Sequence, residues 1–203
     1  MGLLSSPPWD SLTYWALDLE TGGLDPRRDP ILAVGMLPVR GGKVRLGEKY
    51  RTLVRPADGR PIDPESVRAH QLVWGEVKDA PPVAEVLPEI DRRLGEGVLL
   101  VHHRAIDVPF LKDAYRRSGL RWRSPPVVDT VDLLVKAARK AHRVRPELPA
   151  DPPVLNLSAA REAHGLPHYQ AHDALSDALA TAELFLALRM RLGARTVRDV
   201  RRA

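Results

Sequence analysis

The stretch YWALDLETGGLDP, residues 14–26, decides how the rest of the chain is interpreted. Its apolar first half is typical of a buried strand, and Gly22 and Gly23 end that strand in a turn. Asp18 and Glu20 nevertheless lie inside it. Successive strand residues point to opposite faces, so two acids that are two positions apart point the same way. Because unpaired charge is costly to bury, the pattern predicts that a cation holds both carboxylates.

Composition narrows the class of protein. The chain has 203 residues, 44% hydrophobic and 28% charged, which suits one domain with a substantial core. We find neither an apolar run long enough for a membrane span nor a secretion signal in MGLLSSPPWDSL. The absence of cysteine excludes disulfides, thiolate metal sites and a cysteine nucleophile, and it fits a reducing cytoplasm. The net charge of +5 favours a polyanionic partner, although a solvated basic surface explains it equally well.

The order of patterns along the chain predicts one α/β domain. We expect residues 1–12 to be a flexible lead-in and residues 13–203 to form the domain. Apolar runs at the start suggest a three-strand antiparallel meander over residues 14–19, 31–40 and 44–55, with a hairpin turn at Gly41 and Gly42. Further strands at 98–103 and 127–130 alternate with helical patterns, among them 79–97, 107–120 and the final HDALSDALATAELFLALRMRLG. The expected fold is a mixed sheet flanked by helices.

Two further acids stand at element boundaries. Asp107 follows the buried run VLLVHHRAI, where the next helix begins, and Asp177 lies in the last helix among small residues that suit close approach to a sheet. Taken alone, Asp107 is better explained as a helix N-cap, and Asp177 can be a solvated helix residue. Four carboxylates at one sheet edge would raise one another's pKa unless cations were bound.

The carboxylate ligands indicate which type of metal ion would bind. Oxygen donors without cysteine favour Mg²⁺ or Mn²⁺. Two such ions about 4 Å apart form the clamp used for phosphodiester hydrolysis, in which one activates water and the other steadies the leaving oxygen.

His172 lies five residues before Asp177. On one continuous helix the two side chains would stand about 140° apart and could not easily face one site. We therefore expect His172 on the loop before the last helix. Histidine ionises near neutral pH, which suits a general base, although a lone histidine is more often structural.

Three segments resemble the motifs of a known family. LDLETGGLDP, VHHRAIDVPFL and HDALSDALATAELFL occur in the order and spacing of the DnaQ-like, DEDDh-type 3′–5′ exonucleases of the ribonuclease H-like fold. The resemblance covers roughly residues 13–190. Relatives usually carry Asn at the position of His103 and Phe at that of Ile106, and the loss of this aromatic removes a stacking platform worth about 1–3 kcal/mol per base.

The resemblance implies a role for each matched residue. Asp18, Glu20 and Asp177 would ligate the first ion, with Asp18 bridging to a second ion supported by Asp107, and His172 would deprotonate the attacking water.

The resemblance also implies a substrate-binding surface. Thr21 and Gly22 would meet the 3′-terminal nucleotide through the hydroxyl and a backbone N–H, and Leu24 would wedge against its base. His103 and Ile106 would line the same site, with His103 as a phosphate contact or a structural residue.

The implied function is a two-metal 3′–5′ exonuclease that releases nucleoside monophosphates from single-stranded DNA, in proofreading or repair. The resemblance leaves open a free-standing enzyme or a DNA polymerase subunit. One alternative is an exoribonuclease that trims RNA 3′ ends or short oligonucleotides. The alternative from another class is a catalytically silent nucleic-acid or polymerase-binding module, which would have no need of five costly polar groups.

Overall fold

The computed structural model describes residues 6–57, 60–144, 146–147 and 152–201. Over these residues the strands are β1 (Tyr14–Thr21), β2 (Ile31–Arg40), β3 (Lys43–Val44), β4 (Tyr50–Leu53), β5 (Val98–Val101) and β6 (Val127–Asp129). The helices are α1 (Pro64–His70), α2 (Trp74–Val77), α3 (Val83–Leu94), α4 (Arg104–Arg117), α5 (Thr130–Val144), α6 (Leu157–Ala163), α7 (Ala174–Leu192) and α8 (Val197–Arg201).

The strands form one mixed sheet in the order β3-β2-β1-β5-β6, with β4 also paired to β2. β1 runs antiparallel to β2 and parallel to β5, and β5 is parallel to β6. This confirms the expected mixed sheet, in which an antiparallel meander is joined to parallel strands. β1 is therefore an interior strand, and its acids lie in the middle of the sheet.

The third strand of the meander is interrupted. A single strand over 44–55 was expected, whereas a 3-10 turn at Leu46–Glu48 separates β3 from β4. The backbone N–H of Arg45 donates to the carbonyl of Pro38 at 2.9 Å, but proline has no N–H to donate in return. The missing hydrogen bond breaks the ladder on this edge of β2.

Alternate residues of β1 enter two different cores. Tyr14 and Ala16 are buried with residues of α5, α6 and α7, whereas Trp15 and Leu17 are buried with residues of α3 and α4. Because strand residues alternate, Asp18 and Glu20 continue the series of Tyr14 and Ala16 and point toward the face that α7 covers.

The segment before β1 packs on the domain where the structure describes it. Trp9 is buried, its ring centroid lies 5.9 Å from that of Phe185, and the guanidinium of Arg189 lies 4.5 Å above the indole. The backbone N–H of Trp9 donates to the carbonyl of Arg195 at 3.1 Å. Residues 6–12 are therefore not the flexible lead-in that was expected, because burial of the large apolar indole stabilises their packing on the domain. Residues 1–5 lie outside the described residues.

Within the described ranges, no helix is both long enough and apolar enough to cross a lipid bilayer.

Candidate active site

Three acids from two elements converge at the end of β1. Asp18 and Glu20 on β1 and Asp177 on α7 each place a carboxylate oxygen within 4.8 Å of the others. Asp177 is buried, and the two strand acids are partly exposed. The expectation that the two strand acids share a face and meet the last helix is confirmed.

A glycine lets α7 approach this closely. Asp18 is paired with Gly35 on β2. A Cβ atom at Gly35 would lie 2.2 Å from the carbonyl carbon of Ala174 and 2.3 Å from the nitrogen of Leu175. The first turn of α7 therefore rests directly on the backbone of β2, which brings Asp177 beside Asp18. Gly35 was not among the residues predicted from the sequence, although a glycine inside an apolar strand often marks such a contact.

We expect Gly35→Ala to destabilise the protein by about 1–3 kcal/mol, because the added methyl group overpacks a backbone contact. It should also weaken Mn²⁺ binding, since α7 carries Asp177. Urea unfolding and Mn²⁺ titration measure the two effects. Gly47→Ala is the matched control, because a Cβ there meets nothing within 4 Å. Equal stability of the two variants would contradict the role given to Gly35.

Asp107 lies on the first turn of α4, where it is 3% exposed. It is not among the three acids whose oxygens converge within 4.8 Å, but it lies near enough to Asp18 for its carboxylate to raise the pKa of that residue. The helix begins at Arg104, earlier than predicted, so Asp107 is not its N-cap. The carboxylate of Asp129 instead accepts the backbone N–H groups of His103, at 3.1 Å, and Arg104, at 2.9 Å. Asp129 thereby fixes the turn that carries Asp107. Asp129 was not among the residues predicted from the sequence, although VVDT places this acid at a strand end.

Burial and the neighbouring carboxylates raise the pKa of Asp18, Glu20 and Asp107. Burial raises the pKa of Asp18 well above its ordinary value, and the carboxylates of Asp107, Asp177, Glu20 and Asp173 add to the effect. Burial, with Asp177 and Asp173, raises the pKa of Glu20 to about 7.

Burial likewise raises the pKa of Asp107 to about 8, against hydrogen bonds from the backbone of Asp107 and Leu19 and with help from Asp129 and Glu20. Without a cation, the protonated forms of Asp107 and Glu20 are therefore populated near neutral pH.

The donors present fit a hard divalent cation. Oε1 of Glu20 is buried and has no hydrogen-bond partner among the described residues. A buried carboxylate oxygen without a donor is costly unless a cation binds it. All of the converging ligand atoms are carboxylate oxygens, which Mg²⁺ and Mn²⁺ prefer.

These pKa shifts predict that the metal-free protein loses stability as the pH rises. An acid whose pKa is raised by folding stabilises the protein fully below its unfolded-state pKa, and this stabilisation is lost as the pH rises through the folded-state pKa. For Asp107 and Glu20 the window runs from about pH 4 to about pH 8. At about 1.4 kcal/mol per pKa unit, the loss is on the order of a few kcal/mol.

Urea unfolding in EDTA across this window measures the loss. Mn²⁺ should reverse it, because metal binds the deprotonated acids. The Asp107→Asn variant should show a shallower pH dependence than the wild type in EDTA. A wild-type stability that does not fall with pH in EDTA would show that folding does not raise the pKa of these acids as described.

His172 lies on the loop directly before α7, as predicted. It is exposed, and its backbone adopts φ 67° in the left-handed region. Its backbone N–H donates to Oδ2 of Asp177 at 2.8 Å, so the backbone carrying the imidazole is tied to the acidic cluster. The next residue, Asp173, accepts from the N–H of Ser176 at the start of α7 and forms an ion pair with Arg51 at 2.6 Å.

The turn after β1 uses the donors that were expected to meet substrate. The hydroxyl of Thr21 donates to the carbonyl of Gly23 at 2.7 Å, and the N–H of Gly22 donates to the carbonyl of Pro30 at 2.8 Å. Both donors therefore form hydrogen bonds within the turn. In this structure neither is free to make the substrate contact that was expected of it.

His70 supports the same turn from α1. Its Nδ1 accepts the N–H of Leu72 at 3.0 Å, so Nε2 carries the proton and donates to the carbonyl of Thr21 at 3.1 Å. Burial lowers the pKa of His70, and the nearby His172 acts in the same direction. Both effects favour the neutral ring that this hydrogen-bond pattern requires.

The remaining predicted substrate residues are accessible. Leu24 is 83% exposed in the loop between β1 and β2. Ile106 is 41% exposed on the first turn of α4, one residue before Asp107. His103 is partly exposed at the start of the same helix, with its backbone at φ 68°. Their contacts with substrate stay predictions.

Three residues outside the sequence-based set support the site. Asp129 fixes the start of α4, Tyr169 donates its hydroxyl to Oδ1 of Asp177 at 2.5 Å, and the buried Arg161 lies beneath the Tyr169 ring. The sequence gives no sign of the last two, because LPHYQAH resembles an ordinary loop and NLSAAREAHGL an ordinary surface helix.

The chain has relatives among known bacterial proteins. The chain is 33% identical over 195 residues to a "DNA polymerase III subunit epsilon-like protein" of Rhodobacter capsulatus, covering 95% of this chain and 26% of that protein. It is 30% identical over 175 residues to a "DNA polymerase III PolC-type" of Thermotoga maritima, covering 86% of this chain and 12% of that protein. The chain thus spans about a quarter or less of the length of these relatives.

Among solved structures, Exonuclease I of E. coli in complex with a dA16 oligonucleotide has the same fold. The TM-score is 0.75 at 22% sequence identity, covering 90% of this chain and 42% of that one. The RNase_T family model, described as exonuclease, matches residues 15–185. On the strength of this match across most of its length, and of the ribonuclease H-like fold with its three acidic motifs, the chain belongs to the RNase_T exonuclease family.

Proposed function

We propose that this chain is a 3′–5′ exonuclease that releases nucleoside monophosphates from the 3′ ends of single-stranded DNA with the help of two Mg²⁺ or Mn²⁺ ions. The observation that carries the proposal is the convergence of Asp18, Glu20 and Asp177 within 4.8 Å, with Oε1 of Glu20 buried and lacking a hydrogen-bond donor among the described residues. Such a cluster is costly to maintain for a module that only binds nucleic acid.

Each acid has a proposed part. Asp18, Glu20 and Asp177 would hold one ion, and Asp18 and Asp107 would help to hold the other. The ions would supply an activated water and stabilise charge on the leaving oxygen. The side chains themselves fix the positions of these groups, because each acid projects from a strand or a helix rather than from a loop.

His172 is proposed as the general base. Its backbone is tied to Asp177, and its side chain is exposed, so the imidazole can reach a water at the site and pass the proton to solvent. Leu24 and Ile106 present exposed apolar surface for the terminal nucleotide, and His103 offers a phosphate contact.

The names of the relatives support the proposed preference for DNA. Two of them carry DNA polymerase III names, and the E. coli Exonuclease I structure is a complex with a DNA oligonucleotide. We extend to this chain an editing or repair role in the cytoplasm, alone or as a polymerase subunit. A DNA duplex with a mismatched 3′ end should accordingly be shortened faster than one with a paired end.

Digestion of end-labelled oligonucleotides tests the proposal. DNA and RNA of the same sequence are incubated with the protein in Mn²⁺, Mg²⁺ or EDTA. The proposal predicts nucleoside monophosphates released from the 3′ end of DNA, only with metal. Faster release from RNA would make the chain an exoribonuclease. No release from either strand with any metal would favour a silent binding module.

A further inference from the structure

The carboxylate of Asp177 is held at both oxygens by one loop. The hydroxyl of Tyr169 donates to Oδ1 at 2.5 Å, and the backbone N–H of His172 donates to Oδ2 at 2.8 Å. The carboxyl torsion of an aspartate is otherwise broad and poorly fixed. Two donors from the same loop therefore define how this carboxylate faces Asp18 and Glu20.

The Tyr169 ring is itself held in place. The guanidinium of Arg161, which is 2% exposed, lies 4.9 Å from the ring centroid. That guanidinium donates to the carbonyls of Ala180 on α7, at 3.0 Å, and Pro167 in the loop, at 3.1 Å. It also forms an ion pair with Glu183 at 2.7 Å. A buried cation anchored to both α7 and the loop thus fixes the ring from which the hydroxyl projects.

We propose that Tyr169 is a positioning residue that orients Asp177 for metal binding. The inference rests on the proposed function, in which Asp177 is a metal ligand. Hydrogen bonds to a ligating carboxylate orient it, and their loss typically weakens metal binding or activity about 10–100-fold. The hydroxyl acts on the metal only through Asp177.

The Tyr169→Phe variant of the full chain tests this role. It removes the hydroxyl and keeps the ring on Arg161, so the loop should stay folded. We expect Mn²⁺ affinity, measured by calorimetric titration, to fall roughly 10–100-fold. The rate of oligonucleotide hydrolysis should fall at low Mn²⁺ and recover in large part at high Mn²⁺, while KM for the oligonucleotide changes little.

Tyr50→Phe is the matched control. Tyr50 also lies under an arginine, with the guanidinium of Arg93 4.6 Å from its ring centroid, but it packs on the opposite face of the sheet with α3 and α4. This variant should bind Mn²⁺ as the wild type does.

Three outcomes are distinguishable. Weaker Mn²⁺ binding by Tyr169→Phe but not by Tyr50→Phe supports the inference. Wild-type Mn²⁺ affinity in Tyr169→Phe, with an active wild-type enzyme, overturns the inference alone. A wild-type protein that binds no Mn²⁺ and hydrolyses no oligonucleotide overturns the inference together with the proposed function.

Discussion

The Asp18→Asn variant is expected to lose hydrolysis by roughly 10³-fold or more and yet to be more stable than the wild type without metal. The activity falls because the amide cannot replace a carboxylate shared by two ions, and the ions supply both nucleophile and charge stabilisation. The stability rises because burial, together with Asp107, Asp177 and Glu20, raises the pKa of Asp18, so folding at neutral pH requires this carboxyl to be protonated, whereas an amide is neutral at every pH.

Monophosphate release and urea unfolding in EDTA at neutral pH measure these two effects. Asp113→Asn is a control with the opposite sign. Its side chain is also mostly buried, but hydrogen bonds from Arg116 and Arg117 outweigh burial and lower the pKa of Asp113. That variant should lose stability and keep its activity. An Asp18→Asn protein that is less stable than the wild type in EDTA would contradict the electrostatic account.

Replacement of His172 is expected to lower the rate roughly 10²–10⁴-fold at saturating metal, as for the loss of a general base. Mn²⁺ affinity should not change, because the hydrogen bond from His172 to Asp177 comes from the backbone N–H, which every substitution except proline keeps. Asn is a better replacement than Ala, since the backbone lies at φ 67° and Asn tolerates this region well.

His168→Asn is the control for this prediction, because His168 is exposed in the same loop and has no proposed role. The rate of hydrolysis with Mn²⁺ and the Mn²⁺ affinity from titration show whether His172 acts as a general base or as a metal ligand. Near wild-type rates in His172→Asn would remove His172 from the mechanism. Weakened Mn²⁺ binding would instead make it part of the metal site.

The positions of the two strand acids can be predicted from the sequence, because the direction of a side chain in a strand depends only on its place along the strand. Asp18 and Glu20 share a face because they are two residues apart on β1. His172 was expected outside α7 because five positions on one helix would turn its side chain away from that of Asp177. The family resemblance predicted that β1, α4 and α7 carry the acids of one site.

Features that depend on tertiary contacts could not be predicted in the same way. Nothing in the sequence indicates that Arg161, in the short helix α6, is buried. Tyr169 likewise resembles an ordinary loop residue in the sequence, and only the fold brings it to Asp177 on α7. The start of α4 was placed too late because its cap, Asp129, comes 25 residues after Arg104 in the chain. The donors of Thr21 and Gly22 are consumed by turn hydrogen bonds that the motif does not reveal.

Crystals of the wild-type protein grown with Mn²⁺ and a nucleoside monophosphate give the most direct measurement. Anomalous scattering should show two manganese peaks in contact with the Asp18 carboxylate, one shared with Glu20 and Asp177 and the other on the side of Asp107. The absence of any manganese within bonding distance of Asp18, in crystals where the ion is bound elsewhere, would contradict a cation as the reason for this cluster of acids.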